Sequence, residues 1–480
     1  MKTTRSILLL SCLSLQAAWS AWGQYAVNWS VTAGGGGVSS GGTYAVRGTV
    51  GQPAANRSSG GGFGLASGFW AVTEPGAFTP GNLLVEGLGD GTGLGNAQPV
   101  WIEELTTNGV LAQAKNLPNT YPRPSASPFN ILDLGNDPSE GYLTRSTAGQ
   151  LVCISGYNAT NHEAGIDGSS SATAARVVGV MTADGTVDTS RAVAMFSGRN
   201  FHSVTTMDGT NFWAVGEGGV AGPCGLVYFQ PGVATNSLIN DTFQCVRIFN
   251  HQLYVSTPVV GQGKGGVYAV GSGLPTNGAP KHTQIISLGG SVSNPYEFEF
   301  SPAMTVAYIA DGRGTGGGII KYTNSGAAWS YDYTLVIPPL GNPGARGLAV
   351  DWSGANPAIY AITAELQSRL VRIVDTNASA TAVTLRTAPA FKAFRGITWV
   401  PVRLVAPTIV SERILAGGDF ELTFTGTLSQ TYRVLASPDV TLPASNWTVL
   451  TSGMFGAGSV TLTDEGASGH PTRFYRIASP

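Results

Sequence analysis

Charged residues are scarce in this sequence. Asp, Glu, Lys and Arg make up 11% of the 480 residues, against about 25% in a typical soluble protein. The 26 basic residues stand singly along the chain and the formal net charge is −2, so there is no basic cluster of the kind that binds polyanions. We therefore expect neither nucleic acid nor an anionic membrane surface as a partner.

Cysteine is scarce as well. The 4 cysteines form neither a CxxC pair nor a Cys/His cluster with zinc spacing. If Cys12 is removed with a signal peptide, an odd number remains, which does not predict a disulfide framework. Cys224 and Cys245 could still form one disulfide in an oxidising compartment, whereas Cys153 lies in an apolar strand and is expected to be a buried small side chain.

Helical periodicity is missing beyond the first twenty or so residues, and no apolar run there is long enough to span a bilayer. Glycine, in contrast, is abundant. The 66 glycines are about twice the average share, which suits many tight turns and suits helices poorly. The sequence therefore predicts an all-β protein without a transmembrane helix.

The N-terminus predicts export. Lys2 and Arg5 precede an apolar run from Ile7 to Ala18, and small residues follow up to Gly23. This is the layout of a secretory signal peptide, so we expect the mature protein to be secreted or held at the cell surface. The alternative is a bacterial lipobox ending at Cys12, which would make the protein a lipoprotein.

Pairs of short strands recur at intervals of roughly 40 to 60 residues, which is the pattern of a β-propeller with one small antiparallel sheet per repeat. The pairs are Gly141–Asn158, His202–Gly216, Cys245–Thr257, Glu297–Tyr322 and Gly347–Thr363. The first strands after residue 79 and the last one, Phe394–Val402, would combine into one composite blade that closes the ring. We expect six blades, and seven stay open because Gly156–His202 is long.

Changes in composition predict four segments. Two prolines and two glycines in TEPGAFTPG follow a run of Gly-rich hairpins, and Pro401 and Pro407 follow the last propeller strand. We expect a signal peptide at 1–23, a Gly-rich β-hairpin segment at 24–78, the propeller at 79–402 and a C-terminal β-sandwich at 407–480.

Two segments resemble known families. The run TYRVLASPDVTLPASNWTVL, with TLTD and FYRI after it, resembles a C-terminal module common on secreted proteins of Verrucomicrobia-like bacteria. The run YIADGRGTGGGIIKY, Tyr308–Tyr322, is similar to the blades of lactonase-like and NHL-type propellers. The second resemblance implies a metal-dependent hydrolase or lactonase, with a divalent cation held by carboxylates in the propeller channel.

Arginines recur where inner strands begin. Arg346 and Arg395 each precede a glycine at such a position, and Arg145, Arg199 and His202 occupy related positions. Because the starts of inner strands face the channel of a propeller, we predict that these five residues bind a ligand with carboxylate or phosphate groups. The alternative is that each arginine pairs with a carbonyl or an acid between blades.

Other motifs carry little functional signal. Gly37–Gly41 matches GxSxG and Gly261–Gly266 matches GxGxxG, but both lie between strands and lack the helix that a nucleophile elbow or a dinucleotide site requires. Asp90, Asp311 and Asp351 are candidate Ca²⁺ ligands, although turn formation explains them equally well. We therefore expect no cofactor, with calcium as the alternative.

Two functions fit these features. The first is a monomeric, non-enzymatic binding protein whose propeller holds an unidentified small molecule, glycan or surface protein. The second is a metal-dependent hydrolase, for which the inner strands offer four acids, Glu140, Glu297, Glu299 and Asp351. Convergence of these acids on one point would favour the enzyme, and convergence of arginines without acids would favour the binding protein.

Overall fold

A computed structural model describes residues 35–41, 44–50, 57–60, 63–66, 76–220, 222–258, 265–289, 294–314, 316–326, 328–338, 343–403, 406–426, 431–455 and 458–478. The chain divides into two units, Met1–Pro75 and Gly76–Pro480. The predicted signal peptide, Cys12 and most of Gly261–Gly266 lie outside the described residues. Among the described residues, no helix has the length and apolar character needed to cross a membrane.

The first unit contains two hairpins. Strand β1 (Gly35–Gly41) pairs antiparallel with β2 (Tyr44–Val50), and β3 (Arg57–Gly60) pairs with β4 (Phe63–Ala66). The GxSxG match therefore lies within a paired strand rather than at a turn from a strand into a helix. The expectation that it is no nucleophile elbow is confirmed.

In the described residues of the second unit, four separate four-stranded antiparallel sheets accompany one nine-stranded sheet, which consists of two further groups of four strands joined by a ninth strand; we number these six groups as sheets in chain order. Sheet 1 consists of β5 (Leu83–Leu88), β6 (Ala97–Leu105), β7 (Leu111–Asn116) and β29 (Ala393–Trp399). Sheet 2 consists of β9 (Leu143–Arg145), β10 (Leu151–Tyr157), β11 (Arg176–Thr182) and β12 (Val187–Val193). The short strand β8 (Leu132–Leu134) pairs with β6 and with β10 and thereby joins these two sheets.

Sheets 3 to 6 follow one another along the chain. Sheet 3 is β13 (Phe201–Thr206), β14 (Phe212–Gly216), β15 (Leu226–Phe229) and β16 (Asn236–Ile239). Sheet 4 is β17 (Cys245–Phe249), β18 (Gln252–Thr257), β19 (Gly266–Val270) and β20 (His282–Ser287). Sheet 5 is β21 (Pro295–Phe300), β22 (Val306–Asp311), β23 (Gly318–Asn324) and β24 (Trp329–Leu335). Sheet 6 is β25 (Ala345–Asp351), β26 (Ala358–Thr363), β27 (Arg369–Val374) and β28 (Val383–Thr387).

The innermost strands of the six sheets form a closed ring. β9 contacts β13, and contacts continue through β17, β21, β25 and β29 back to β9. Sheet 1 is composite, because β29 from the end of the propeller pairs with β5 from its start. This pairing completes the sheet that joins the two ends of the propeller segment. The all-β propeller prediction is confirmed, and the long Gly156–His202 interval supplies the outer strands β11 and β12 of sheet 2.

Burial follows the distance from the ring axis. Every residue of β5, β13, β14 and β26 is buried, whereas the outer strands β7 and β28 are largely exposed. Each inner strand is covered on both faces by neighbouring sheets, which suits its β-branched and aromatic residues. Phe212 and Phe229 illustrate the packing, with stacked rings 5.1 Å apart. Complete burial of such a side chain stabilises the fold by about 1.5 to 3 kcal/mol.

Two three-stranded sheets follow the propeller. One contains β30 (Thr408–Ile414), β31 (Phe420–Thr425) and β34 (Val460–Asp464); the other contains β32 (Thr431–Ser437), β33 (Thr448–Met454) and β35 (Phe474–Ala478). Single 3₁₀ turns occupy Ala444–Asn446 and Ala467–Gly469. Leu422 and Phe424 from the first sheet share one core with Val434 from the second, as the predicted β-sandwich requires.

The disulfide alternative is wrong in this structure. Cys153, Cys224 and Cys245 are buried and free. Cys224 precedes β15 in sheet 3 and its thiol donates to Asn240 Oδ1 at 3.0 Å, whereas Cys245 begins β17 in sheet 4. The two cysteines therefore belong to different sheets and have different surroundings.

Candidate functional site

β-Bulges interrupt four of the six inner strands near their starts. The inserted residues lie at His202 in β13, between Pro295 and Phe298 in β21, at Arg346 in β25, and between Phe394 and Ile397 in β29. A bulge sets two residues against one on the partner strand, and it redirects a side chain, which is why bulges are common beside functional sites. The same irregularity in four repeats marks this end of the ring as the candidate site.

Each inner strand has a polar side chain among its first three residues or directly before it at this end. We call these six side chains the mouth ring: Arg395 in sheet 1, Tyr142 in sheet 2, His202 in sheet 3, Gln244 in sheet 4, Tyr296 in sheet 5 and Arg346 in sheet 6. Arg346 is half-buried and the other five are buried. Side chains of this polarity are unusual in a protein core and need partners.

Two tyrosines of the mouth ring meet across the channel. Tyr142 and Tyr296 belong to sheets on opposite sides of the ring, and their ring centroids are 6.2 Å apart. The guanidinium carbon of Arg346 lies 5.7 Å from the centroid of Tyr296. The Tyr296 hydroxyl also accepts a hydrogen bond from Asn294 Nδ2 at 2.9 Å. We call these two aromatic rings the tyrosine floor, and Arg346 lies beside it.

The arginines of the mouth ring lack a neutralising acid. Burial lowers the pKa of Arg346 below its ordinary value, and the charge on Arg395 lowers it further. Arg395 donates from Nη2 to the Gly135 carbonyl at 2.8 Å. In the part of the chain that the structure describes, neither guanidinium has a carboxylate within 4.0 Å. Two cations therefore face the same region without a counter-ion.

A cluster of three carboxyl groups lies beside Arg395. Glu86 comes from β5, Asp133 from β8 and Glu140 from the loop before β9, and all three are at most 1% exposed. Asp133 and Glu140 share a side-chain hydrogen bond, and the Tyr157 hydroxyl donates to Glu140. The Leu134 amide donates to Asp133 Oδ1 at 3.0 Å and to Glu140 Oε2 at 3.2 Å.

Burial keeps this carboxyl cluster largely protonated. It raises the pKa of Glu86 well above the ordinary range; the charge on Asp133 adds to the rise and that on Arg395 opposes it. Burial, together with the nearby charge of Asp133, also raises the pKa of Glu140 well above its ordinary range. The pKa of Asp133 rises to about 6 through burial, although the hydrogen bond from Glu140 and the charge on Arg395 lower it in part. Below about pH 6 the carboxyl cluster is neutral and does not cancel the arginine charges, whereas ionised Asp133 offsets part of the Arg395 charge at higher pH.

Gly141 is the point at which the carboxyl cluster meets the mouth ring. Its φ is +86°, and a Cβ there would lie 2.7 Å from Glu86 Oε1, 2.9 Å from Asp133 Oδ2 and 2.9 Å from the Arg395 Cβ. One carboxyl oxygen of Glu86, one of Asp133 and the Arg395 side chain thus surround the backbone of Gly141, next to Tyr142. Only glycine fits there without displacing one of these groups.

Half of the buried side-chain nitrogen and oxygen atoms that lack a hydrogen-bond partner in the described residues lie at this place. Within the described residues they include Glu86 Oε1 and Oε2, Asp133 Oδ2, Tyr142 Oη, Gln244 Oε1, Arg346 Nε and Arg395 Nε. Buried polar atoms in folded proteins are almost always paired with protein, water or ligand. A group of unpaired atoms around one channel end is therefore what a site for a polar ligand would present.

The predicted arginines and histidine do not form a single cluster. Arg346 and Arg395 lie near each other, but Arg145 lies farther along its strand, where its Nε donates to the Gly149 carbonyl at 3.2 Å. Burial lowers the pKa of Arg145 to about 10, partly offset by the charge on Glu299. Arg145 therefore lies apart from Arg346 and Arg395, and the prediction that it binds the same ligand stays a prediction.

Arg199 and His202 lie on the sheet 3 side. Arg199 is paired loosely with Glu217, with 4.0 Å between Nη1 and Oε2. The Nδ1 atom of His202 lies 2.7 Å from the Phe243 carbonyl, which makes it the donor nitrogen, and burial lowers the pKa of the ring. His202 is therefore a neutral member of the mouth ring, whereas Arg199 lies outside it.

The four acids named for a metal site do not converge. Arg247 is bound by both Glu297, at 3.3 Å, and Glu299, and the Leu348 amide donates to Glu297 at 2.6 Å. Asp351 accepts from the Ser353 amide in a turn, and Glu140 belongs to the carboxyl cluster. No group of three or more His, Cys, Asp or Glu side chains in the described ranges is arranged to hold a metal ion.

The candidate calcium ligands also lie apart. Asp90 is engaged by His162 at 2.8 Å, Asp311 pairs with Arg313 at 2.6 Å, and Asp351 ends β25. The three residues belong to different sheets, because Asp90 follows β5, Asp311 ends β22 and Asp351 ends β25. These three residues therefore do not form a shared set of calcium ligands.

No protein-family model and no curated protein sequence matches the chain. Among solved structures it is similar to a candidate 6-phosphogluconolactonase from Bacteroides uniformis, at 12% identity and a TM-score of 0.37 over 80% of this chain and 99% of that one. A periplasmic gluconolactonase from Pseudomonas aeruginosa gives 13% identity and 0.36 over 80% and 99% of the chains. TolB from Acinetobacter baumannii gives 11% identity and 0.35 over 68% and 69%. Likeness this low carries no activity or ligand from those proteins to this chain.

Proposed function

We propose that the protein is a binding protein, exported to the cell surface or the medium, that holds a small oxyanion at the mouth ring. Arg346 and Arg395 would bind the carboxylate, phosphate or sulfate group of the ligand. Tyr142 and Gln244 would supply neutral hydrogen-bonding groups, and the tyrosine floor would pack against the rest of the ligand. Attachment or spacing is the role we propose for the C-terminal sandwich.

One observation carries this proposal. Arg346 and Arg395 lie on neighbouring inner strands, where the Cβ position of Gly347 is 2.7 Å from the Arg395 carbonyl oxygen; each has an Nε without a partner, and no described carboxylate forms an ion pair with either. Like charges held together away from water are unfavourable, and an anion between them would relieve that cost. Hydrogen bonds to charged groups contribute about 1.5 to 3 kcal/mol each, and a guanidinium can form two to one oxyanion.

The test is anion binding by the full chain without its signal peptide. We would titrate it with sulfate and with lactate by calorimetry and follow melting temperature in parallel. Arg346→Met should weaken binding by about tenfold or more, because a charge-assisted contact is lost. Arg372→Met is the matched control, since Arg372 is a half-buried arginine of the same sheet whose Nε also lacks a partner. Equal affinity in the wild type and Arg346→Met would refute the proposal.

We infer hydrolysis as a second candidate because the Asp133–Glu140 carboxyl pair lies beside the same site. A carboxyl group that stays protonated near neutral pH can act as a general acid. In ester or lactone hydrolysis, the oxygen of water adds to the carbonyl carbon, the bond from that carbon to the alkoxide oxygen breaks, and the acid protonates the departing alkoxide. The proton that the added water loses returns to the carboxylate and restores the acid. Metal-dependent hydrolysis would need another set of ligands than Glu140, Glu297, Glu299 and Asp351.

A panel of esters and lactones, assayed with and without chelator, tests this second candidate. The expected result is turnover that Asp133→Asn abolishes and that chelator leaves unchanged. Turnover lost on chelation would favour the metal-dependent reaction, and turnover that survives in both Asp133→Asn and Glu140→Gln would exclude the carboxyl pair as the acid.

A further inference from the structure

We propose that the mouth ring takes up its oxyanion together with a proton, which the carboxyl cluster of Glu86, Asp133 and Glu140 holds beside Arg395. The inference rests on the proposed oxyanion site. It goes beyond it by giving the site a proton-linked affinity. The proton comes from solvent, and the carboxyl cluster releases it to solvent when the ligand dissociates.

The contact between the two parts of the site is geometric. Glu86 Oε1 and Asp133 Oδ2 are both within 3 Å of the Cβ position of Gly141, and so is the Cβ of Arg395. Both oxygens of Glu86 lack a partner, as does Nε of Arg395, and these side chains are 0% and 6% exposed. The carboxyl cluster therefore lies against the arginine that would bind the anion, with unpaired atoms on each side.

The charged groups around the cluster come from several elements. They are Arg395 of β29, Arg176 of β11, Glu297 of β21 and Asp137 of the loop after β8, and the neutral Tyr157 hydroxyl of β10 donates to Glu140. Arg395 is the cation in this set that favours ionised Glu86 and Asp133, whereas Asp137 and Glu297 oppose ionisation. The protonation of the cluster consequently depends on how strongly the positive charge of Arg395 stabilises the ionised forms of Glu86 and Asp133.

An anion on Arg395 would change that balance. A bound negative charge offsets the guanidinium and repels ionised carboxylates, so both effects raise the proton affinity of the cluster. Coupling between two binding events is reciprocal, so protonation of the cluster must strengthen anion binding by the same factor. Asp133, with a pKa of about 6, is the member that would take up the proton near neutral pH.

Neutral carboxyl groups would also contact the ligand directly. A protonated Glu86 can donate a hydrogen bond to an oxyanion, whereas an ionised Glu86 can only repel it. The site then combines two cations with one or two neutral donors. Such a set suits a small carboxylate, phosphate or sulfate group and disfavours cations.

The experiment measures binding of sulfate and of lactate between about pH 5.5 and about pH 8, a range in which neither probe changes charge. Calorimetry in two buffers with different ionisation enthalpies gives the number of protons taken up. We expect uptake approaching one proton near pH 7, and an affinity that falls by up to about tenfold per pH unit above pH 6. The two probes distinguish a sulfate-like or phosphate-like ligand from a carboxylate.

Variants separate the inference from the proposed function. Asp133→Asn keeps the shape of the cluster but cannot ionise at this position, so it should bind as tightly at pH 8 as at pH 6. Glu86→Gln retains Asp133, the group that takes up the proton, and should keep most of the wild-type slope. Asp188→Asn is the control, because Asp188 pairs with Arg191 on an outer strand at 2.7 Å. It should keep the wild-type slope.

Three outcomes would overturn the inference. Binding that Arg346→Met abolishes but that is independent of pH in the wild type would leave the oxyanion site intact and remove its proton linkage. An unchanged slope in Asp133→Asn would assign the proton to another group. Absence of binding to either probe at every pH would refute the site and the linkage together. The proton count needs only the wild-type protein, so the test does not depend on the folding of a variant.

Discussion

Tyr142 and Tyr296 lie in sheets on opposite sides of the propeller ring, and their ring centroids are 6.2 Å apart. The pair links sheet 2 to sheet 5 directly across the channel, which adjacent-sheet contacts cannot do. Arg145, Arg247 and Glu299 form a different group of charges, farther along the inner strands than the mouth ring.

The tyrosine floor predicts a contrast between two substitutions of Tyr142. Tyr142→Ala should lower the free energy of unfolding by about 3 to 5 kcal/mol, as for other buried aromatic truncations. Tyr142→Phe should leave it unchanged or raise it by up to about 1 kcal/mol, because the hydroxyl is buried without a partner. Denaturant unfolding of the variants measures both. A large loss in Tyr142→Phe would indicate that the hydroxyl is paired in solution.

Gly141→Ala should be far more damaging than an ordinary glycine substitution. The added Cβ would contact Glu86, Asp133 and Arg395 at under 3 Å, in addition to the strain of a positive φ. Gly81→Ala is the matched control, because Gly81 has a φ of +88° and nothing within 4 Å of its Cβ position. We expect about 1 kcal/mol of destabilisation in the control and at least 2 kcal/mol more in Gly141→Ala. Similar melting temperatures for the two variants would contradict the crowded geometry.

The architecture was readable from the sequence because its signals are local. Short runs such as Ala358–Thr363 are rich in β-branched and aromatic residues and recur with turns between them, and the composite sheet 1 follows from the two unpaired ends. The bulges were not predictable. An extra residue in β13 or β25 is defined only against its partner strand, so its effect on His202 or Arg346 depends on register.

The carboxyl cluster was missed for a related reason. Glu86 and Asp133 stand in apolar runs, NLLVEGL and NILDLG, and an acid in a fully buried strand must be neutral or paired. That signal identifies the two residues but not the side chains that they contact in the folded protein. Their neighbour Arg395 comes from the opposite end of the propeller segment, and only ring closure brings the three together.

Stability should fall as the pH rises past the pKa of Asp133. This pKa is about 6 in the folded protein against 3.8 ordinarily, so the folded state holds a proton that the unfolded chain has lost. The free energy of unfolding should therefore decrease from about pH 4 to above pH 6 and remain lower, by about 2 to 3 kcal/mol. Burial also raises the pKa of Glu297, to about 8, which extends the decrease.

Asp133→Asn isolates the Asp133 contribution to this pH dependence. The difference in unfolding free energy between variant and wild type should grow between about pH 4 and about pH 7 and then level off. Urea denaturation at several pH values measures it. Asp188→Asn is again the control, since hydrogen bonds and Arg191 lower the pKa of Asp188 and confine its effect to more acid conditions. A constant difference for Asp133→Asn would mean that Asp133 is ionised throughout.

Arg247 should be among the arginines most important for folding. Its side chain is 7% exposed and binds Glu297 and Glu299, which are 0% and 13% exposed, so Arg247→Met would leave two buried acids without a cation. Removing one partner of a buried ion pair typically lowers the free energy of unfolding by about 3 to 5 kcal/mol. Burial also raises the pKa of both acids. The loss of stability should therefore be largest at alkaline pH, where both acids must ionise. Arg413→Met is the control, because Arg413 pairs with Glu421 on an exposed strand and its removal should change the melting temperature little. Thermal unfolding at about pH 6 and about pH 9 would reveal the difference, and equal behaviour of the two variants would mean that water reaches Glu297 and Glu299 in the channel.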